Sequence, residues 1–189
     1  MESALIISSN EKINVSFAEI LRSFSCSKID AVQSCSEARR LLLERQFDLI
    51  IINAPLQGEF GENLAKDIAS NGIGQVILII KNEYYDAVSA AVENYGVITV
   101  SKPIDKNIFW ASLKLAKATQ TKLKAMQSEN DKLLKKIEDI HIVSRAKCVL
   151  ISCLNMSEDE SHKYIEKQAM DMRISRKAVA EEILKKYEN

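Results

Sequence analysis

Two stretches of this chain, DLIII at 48–52 and QVILII at 75–80, hold apolar residues almost without a break. A strand apolar on both faces must be covered on both faces, and a parallel sheet between two layers of helices does that. The surrounding pattern agrees. ALIIS (4–8) is a short apolar run, followed by helical spacing in VSFAEILRSF (15–24). IDAVQ (29–33) reads as a weak edge strand, and CSEARRLLLERQF (35–47) as a helix with Ser36 as its N-cap. GENLAKDIAS (61–70) and YYDAVSAAVENYG (84–96) read as helices, and VITVSKP (97–103) as a fifth strand. Five strand–helix units in about 110 residues predict a flavodoxin-like, doubly wound α/β domain over residues 1–110. Ligands of such a domain bind at the C-terminal ends of its strands.

After Pro103 the strand signal ends. No Pro or Gly occurs between Asp105 and Ile142. Leu123, Asn130 and Ile137 fall at heptad position a, and Met126, Leu133 and Ile140 at d. This 3-4 spacing predicts a coiled-coil helix over 111–143, and the single Asn at a favours a parallel homodimer. Residues 144–189 hold three short helical segments and form a small all-α domain. SRAKCVLISCL (144–154) turns Ala146, Val149, Leu150 and Cys153 to one face. SEDESHKYIEKQAMDM (157–172) opens on a capping box, Ser157 with Glu160, and buries Ile165, Ala169 and Met172. SRKAVAEEILKKY (175–187) has Ser175 as N-cap and buries Val179, Ala180, Ile183 and Leu184.

Charge follows the same division. Residues 1–110 carry 10 Lys/Arg against 14 Asp/Glu, and residues 111–189 carry 16 against 12. An acidic front and a basic back point to an anionic partner for the back. At 47% hydrophobic and 28% charged the chain is globular. It has no apolar run long enough for a membrane span and no signal peptide, so a cytoplasmic protein without a membrane partner is expected. Cys26, Cys35, Cys148 and Cys153 are expected to be free, buried thiols. Neither they nor His141 and His162 have metal-ligand spacing, so no metal is expected. No nucleophile–base set or phosphate loop is present, so neither an enzyme nor a cofactor is expected.

The first domain resembles a response-regulator receiver. In that family two acidic residues after the first strand hold Mg²⁺, and an aspartate ending the third strand takes the phosphoryl group. A Thr/Ser ends the fourth strand, and a Lys–Pro pair the fifth. Here the acidic positions are Ser8 and Ser9, the acceptor position is Asn53, and the Thr/Ser position is Ile80; only Lys102 and Pro103 remain. Hydroxyls do not replace carboxylates for a hard cation, and an amide accepts no phosphoryl group. The resemblance therefore implies a pseudo-receiver without a phosphorylation switch. Lys102 is expected to hydrogen-bond a strand-end carbonyl instead.

The tail is similar to the ANTAR domain of bacterial transcription antiterminators, through RAKCVL (145–150), LNMSEDES (154–161) and MRISRKAVAEEIL (172–184). Cys148 stands where that family usually has Gly, and Ser161 where it often has Ala. The resemblance implies a dimer that binds paired hairpins in a leader transcript and so keeps a terminator from forming. Family members with dead receivers are held off by a ligand-sensing partner protein, and this sequence resembles that kind. The residues themselves offer Arg145, Lys147, Lys163, Lys167, Arg173, Arg176 and Lys177 for RNA phosphates. Tyr164 and Tyr187 are candidates for base stacking, or are ordinary rim aromatics. Two alternatives stay open. One is a DNA-binding regulator with a C-terminal helix-turn-helix, although Glu181 and Glu182 on its recognition helix would face phosphates. The other is an adaptor with protein partners alone.

Overall fold

A computed structural model describes residues 1–72 and 74–187. The chain divides into two compact units, Met1–Lys124 and Ala125–Asn189. The first is built around a five-stranded parallel sheet of order β2-β1-β3-β4-β5. Its strands are β1 (Ser3–Ile7), β2 (Lys28–Val32), β3 (Leu49–Asn53), β4 (Gln75–Lys81) and β5 (Ile98–Lys102). The helices between them are α1 (Glu11–Ser23), α2 (Cys35–Glu44), α3 (Glu62–Ser70) and α4 (Tyr85–Val92).

Alternation sorts the strand side chains into two cores. Leu5, Ile7, Ile50, Ile52, Leu78 and Ile80 pack on one face with α2, α3 and α4. Ala4, Ile6, Leu49, Ile51, Ile77 and Ile79 pack on the other with Phe17 and Leu21 of α1. Phe109, Leu113 and Ala116, at the start of the long helix α5 (Lys106–Leu154), complete that second layer. All five β3 residues are buried. Burial of each Leu or Ile contributes roughly 1.5–3 kcal/mol, which is why the apolar runs identify the central strands so directly. The edge strand β2 is half exposed and correspondingly mixed in sequence.

Local capping moves some boundaries away from the sequence expectation. Helix α1 begins at Glu11 rather than Val15, because the Asn10 side chain accepts from the Lys12 and Ile13 N–H groups. The N-cap of α2 is Ser34, not Ser36. Ser34 Oγ accepts from Glu37 N at 3.2 Å, and the Glu37 carboxylate accepts from Gln33 N at 3.0 Å. Ser36 already lies inside the helix as its second residue, past the position from which a side chain caps the first turn.

The second unit contains the remainder of α5, α6 (Glu158–Met172) and α7 (Arg176–Tyr187). The expected segment 144–154 is not a separate helix but the last three turns of α5, since nothing between Val143 and Ser144 breaks the backbone ladder. Ala146, Leu150, Ile165, Ala169, Val179, Ala180 and Ile183 form the core, with Val149 and Leu184 half-buried beside it. Two expected core residues are outside it: Cys153 and Met172 are exposed, at the ends of their helices. Cys148 is exposed as well, so only Cys26 and Cys35 are the buried free thiols expected. The Ser157–Glu160 capping box forms as the spacing predicts, and Ser175 Oγ accepts from Ala178 N at 3.1 Å. No helix among the described residues is long and apolar enough to cross a membrane.

Candidate nucleic-acid interface and the crevice of the α/β domain

In the first unit, β1 and β3 are neighbours whose connections leave in opposite directions, so the crevice of the fold lies at their C-terminal ends. Ser8 follows β1 and Asn53 ends β3 there. Both are buried, and Asn53 Nδ2 donates to Ser8 Oγ at 2.9 Å. Ser8 is tied down further by the Asn14 side chain, which donates to its carbonyl at 3.3 Å, and by Asn10 N, which donates to its hydroxyl at 3.3 Å. Asn53 Oδ1 is buried and has no hydrogen-bond partner among the described residues. Ser9 is exposed, and Ile80 is buried in the core beneath the crevice.

Lys102 Nζ donates to the carbonyl oxygen of Ala54, the residue after β3, as expected of a lysine with no phosphate to hold. Burial, with Lys81 nearby, pushes its ammonium below the usual lysine range. The donor set of this crevice is therefore two hydroxyls, an amide and one cation. Such a set does not fit Mg²⁺, which binds through carboxylates.

In the second unit a pocket of about 400 Å³ opens between the end of α5, α6 and the start of α7. It brings together three of the seven basic residues singled out from sequence: Lys147, Arg176 and Lys177. Ser144, Ser175 and His162 line it too; the sequence marks Ser175 only as a helix cap, and gives no sign that the three share a site. Arg145, Lys163, Lys167 and Arg173 lie outside it. Arg173 is instead the C-cap of α6, in left-handed conformation at φ 56°. Tyr164 is exposed, while Tyr187 is half-buried against the tail core.

The cations of the pocket have carboxylate partners. Lys147 Nζ lies 3.1 Å from Glu158, Arg176 Nη1 3.1 Å from Glu166, and Lys177 Nζ 2.9 Å from Asp139. His162 Nε2 lies 3.3 Å from the same Glu166 oxygen. Asp139, followed by Glu138 and Glu181, holds the Lys177 ammonium above its ordinary range.

The two departures from the resemblance are harmless here. Ser161 is fully buried, but its hydroxyl donates to Glu158 O at 2.8 Å. Cys148 points away from the core, so the absence of glycine creates no close helix contact.

Comparison with known proteins agrees with this geometry. Residues 131–184 match the ANTAR domain family. The signal receiver domain of an HD domain-containing protein from Pseudomonas fluorescens Pf-5 superposes with a TM-score of 0.58 at 24% identity. That match covers 66% of this chain and 92% of that one. The chemotaxis response regulator CheY4 of Vibrio cholerae gives 0.53 at 13% identity, over 61% and 98%. These likenesses speak to the fold. With the tail match they describe a chain with a receiver-like α/β fold followed by an ANTAR domain. It is similar along most of its length to the transcriptional regulatory protein PdtaR of Mycobacterium tuberculosis. The two are 27% identical over 180 residues, which are 95% of this chain and 88% of the relative.

Proposed function

We propose that this protein is a dimeric RNA-binding antitermination regulator that takes paired hairpins of a leader transcript and is controlled by a partner protein rather than by phosphorylation. The ANTAR domain and the similarity to PdtaR support an antitermination-regulator family. The observation that carries the RNA reading is the convergence of Lys147, Arg176 and Lys177 on one pocket beside the first turn of α7. Cations and a helix start suit phosphates, and the adjoining hydroxyls of Ser144 and Ser175 suit sugar or base edges.

Dimerisation through 111–143 is supported by exposure. Leu123, Met126, Leu133, Ile137 and Ile140 are all about half exposed in the single chain, and Asn130 is exposed among them. An apolar stripe with heptad spacing is suited to a second copy of the same helix. The three parts are then a pseudo-receiver (1–110), a dimerisation helix (111–143) and an RNA-binding tail (144–189), acting in the cytoplasm and without catalysis. The receiver pocket has lost its chemistry, so control passes to whatever ligand-sensing protein binds the first domain or the helix.

The test is a gel-shift titration of the full chain with one hairpin, two linked hairpins and a duplex DNA of similar length. Two tails on one dimer raise the effective concentration of the second site, so the linked pair binds far more tightly than one hairpin. Lys147→Ala and Arg176→Ala weaken binding more than Arg173→Ala does, because Arg173 lies outside the pocket. A preference for the duplex favours the helix-turn-helix alternative, and no binding to any nucleic acid favours the adaptor.

A further inference from the structure

The tail pocket is built like an anion site but is locally neutral. Lys147, Arg176 and Lys177 face it, and Glu158, Glu166 and Asp139 answer them one for one. Glu166 is the most heavily used: one oxygen serves both Arg176 and His162. These carboxylates come from three places: Asp139 on α5 lines the opening itself, while Glu158 at the start of α6 and Glu166 midway along α6 reach the cations that line it. The side chains of Glu158 and Glu166 are 77% and 43% exposed, so neither is locked in place by packing.

From this arrangement, and resting on the RNA-binding reading above, we propose that the three carboxylates are placeholders for RNA phosphates. The resting tail is self-masked, and a hairpin engages it by exchanging its backbone phosphates for Glu166, Glu158 and Asp139. The physical basis is a competition between weak and strong ligands. An exposed ion pair contributes little to stability, so it yields to a phosphate that brings further contacts with it. A carboxylate that stays near the displaced cation repels the incoming phosphate, and moving it aside weakens binding by a similar amount. The mask thereby lowers affinity for any single isolated phosphodiester. It leaves the tail responsive to an RNA that supplies several phosphates at once, and to a second tail held on the same dimer. The titratable and charged groups facing Glu166 are His162 of its own helix and Arg176 of α7, with Lys147 and Asp139 of α5 and Lys177 of α7 around the same opening.

The experiment compares hairpin binding by the full-length chain with that of Glu166→Gln, Glu158→Gln, their double variant and Glu182→Gln. Glu182 is an exposed acid on α7 outside the pocket, and it matches the charge change. Glu166→Gln is expected to tighten binding about threefold to fivefold at low salt, the double variant about tenfold, and Glu182→Gln by less than about twofold. The gain fades toward about 0.5 M salt as screening weakens the repulsion. Thermal melting of each variant is expected to stay with the parent, because exposed pairs add little stability. Weaker or unchanged binding by Glu166→Gln and by the double variant overturns the mask while leaving RNA recognition intact. Equal tightening by Glu182→Gln overturns it too, since a general charge effect then explains the gain. Failure of the parent chain to bind any hairpin overturns the underlying reading and the mask with it.

Discussion

The Asn53 amide donates to the hydroxyl of Ser8 at 2.9 Å, across the crevice between the ends of β3 and β1. In a phosphorylatable receiver those two positions hold carboxylates that repel each other unless a cation sits between them. Here a neutral hydrogen bond joins them directly. Acetyl phosphate with Mg²⁺ is therefore expected to leave the intact mass unchanged. A stoichiometric gain of one phosphate on a residue of this crevice would falsify the pseudo-receiver reading.

The stripe on α5 makes the second prediction. Replacing both Leu133 and Ile137 by Asp places charges at d and a, where a partner helix gives them no counter-ion. Sedimentation of the double variant is expected to show monomers, with the circular dichroism of both units retained. A dimer that persists moves the interface elsewhere.

Asp48 makes the third. It lies at the end of β3 remote from the crevice, and its carboxylate accepts from Glu2 N at 2.6 Å and Ser3 N at 3.4 Å and pairs with Lys124 Nζ at 2.6 Å. Burial pushes this carboxyl up, but the bonds from Lys124, Glu2 and Ser3 outweigh burial and hold it below its ordinary value of 3.8. The unfolded chain thus binds the proton more readily than the folded one. The stabilisation is fully present above the unfolded value and is lost as pH falls through the lower, folded one. Asp48→Ala is expected to cost about 1–3 kcal/mol near neutral pH, by removing the charge-assisted hydrogen bonds from Glu2 N and Ser3 N and the pair with Lys124. Denaturant titrations of the parent and the variant should converge as pH drops below about 4. Parallel curves down to that pH argue against the carboxylate as the cause.

The capping box of α6 makes the fourth. Ser157 Oγ accepts from Glu160 N at 3.3 Å, and the Glu160 carboxylate accepts from Ser157 N at 2.8 Å. Ser157→Ala is expected to cost about 1 kcal/mol, all of it in the second unit. Hydrogen exchange should show faster opening of α6 and α7 and no change in the sheet. Uniformly faster exchange through both units would mean that they unfold together.

Periodicity alone determined the five-strand alternation, because a strand buried on both faces and a helix buried on one leave different spacings of apolar residues. The sequence also determined α6 and α7 and the capping box of α6, which is a local device read from four consecutive positions, but not that segment 144–154 continues α5. The absence of carboxylates at Ser8, Ser9 and Asn53 was equally legible, since it depends on residue type at the strand ends and not on fine geometry. Other features needed the tertiary structure. Which serine caps α2 depended on where the chain leaves β2, and Ser34 and Ser36 are equal candidates until that is known. Which cysteines are buried depended on how far each helix continues past its core contacts. Above all, the sorting of seven basic residues into three that share a pocket and four that do not depended on the crossing of α5, α6 and α7. Lys147 and Arg176 are 29 positions apart in the chain, and Asp139 and Lys177 are 38 apart. The carboxylates that neutralise the pocket were hidden for the same reason: ion pairs between helices follow packing, and no spacing in the sequence encodes them.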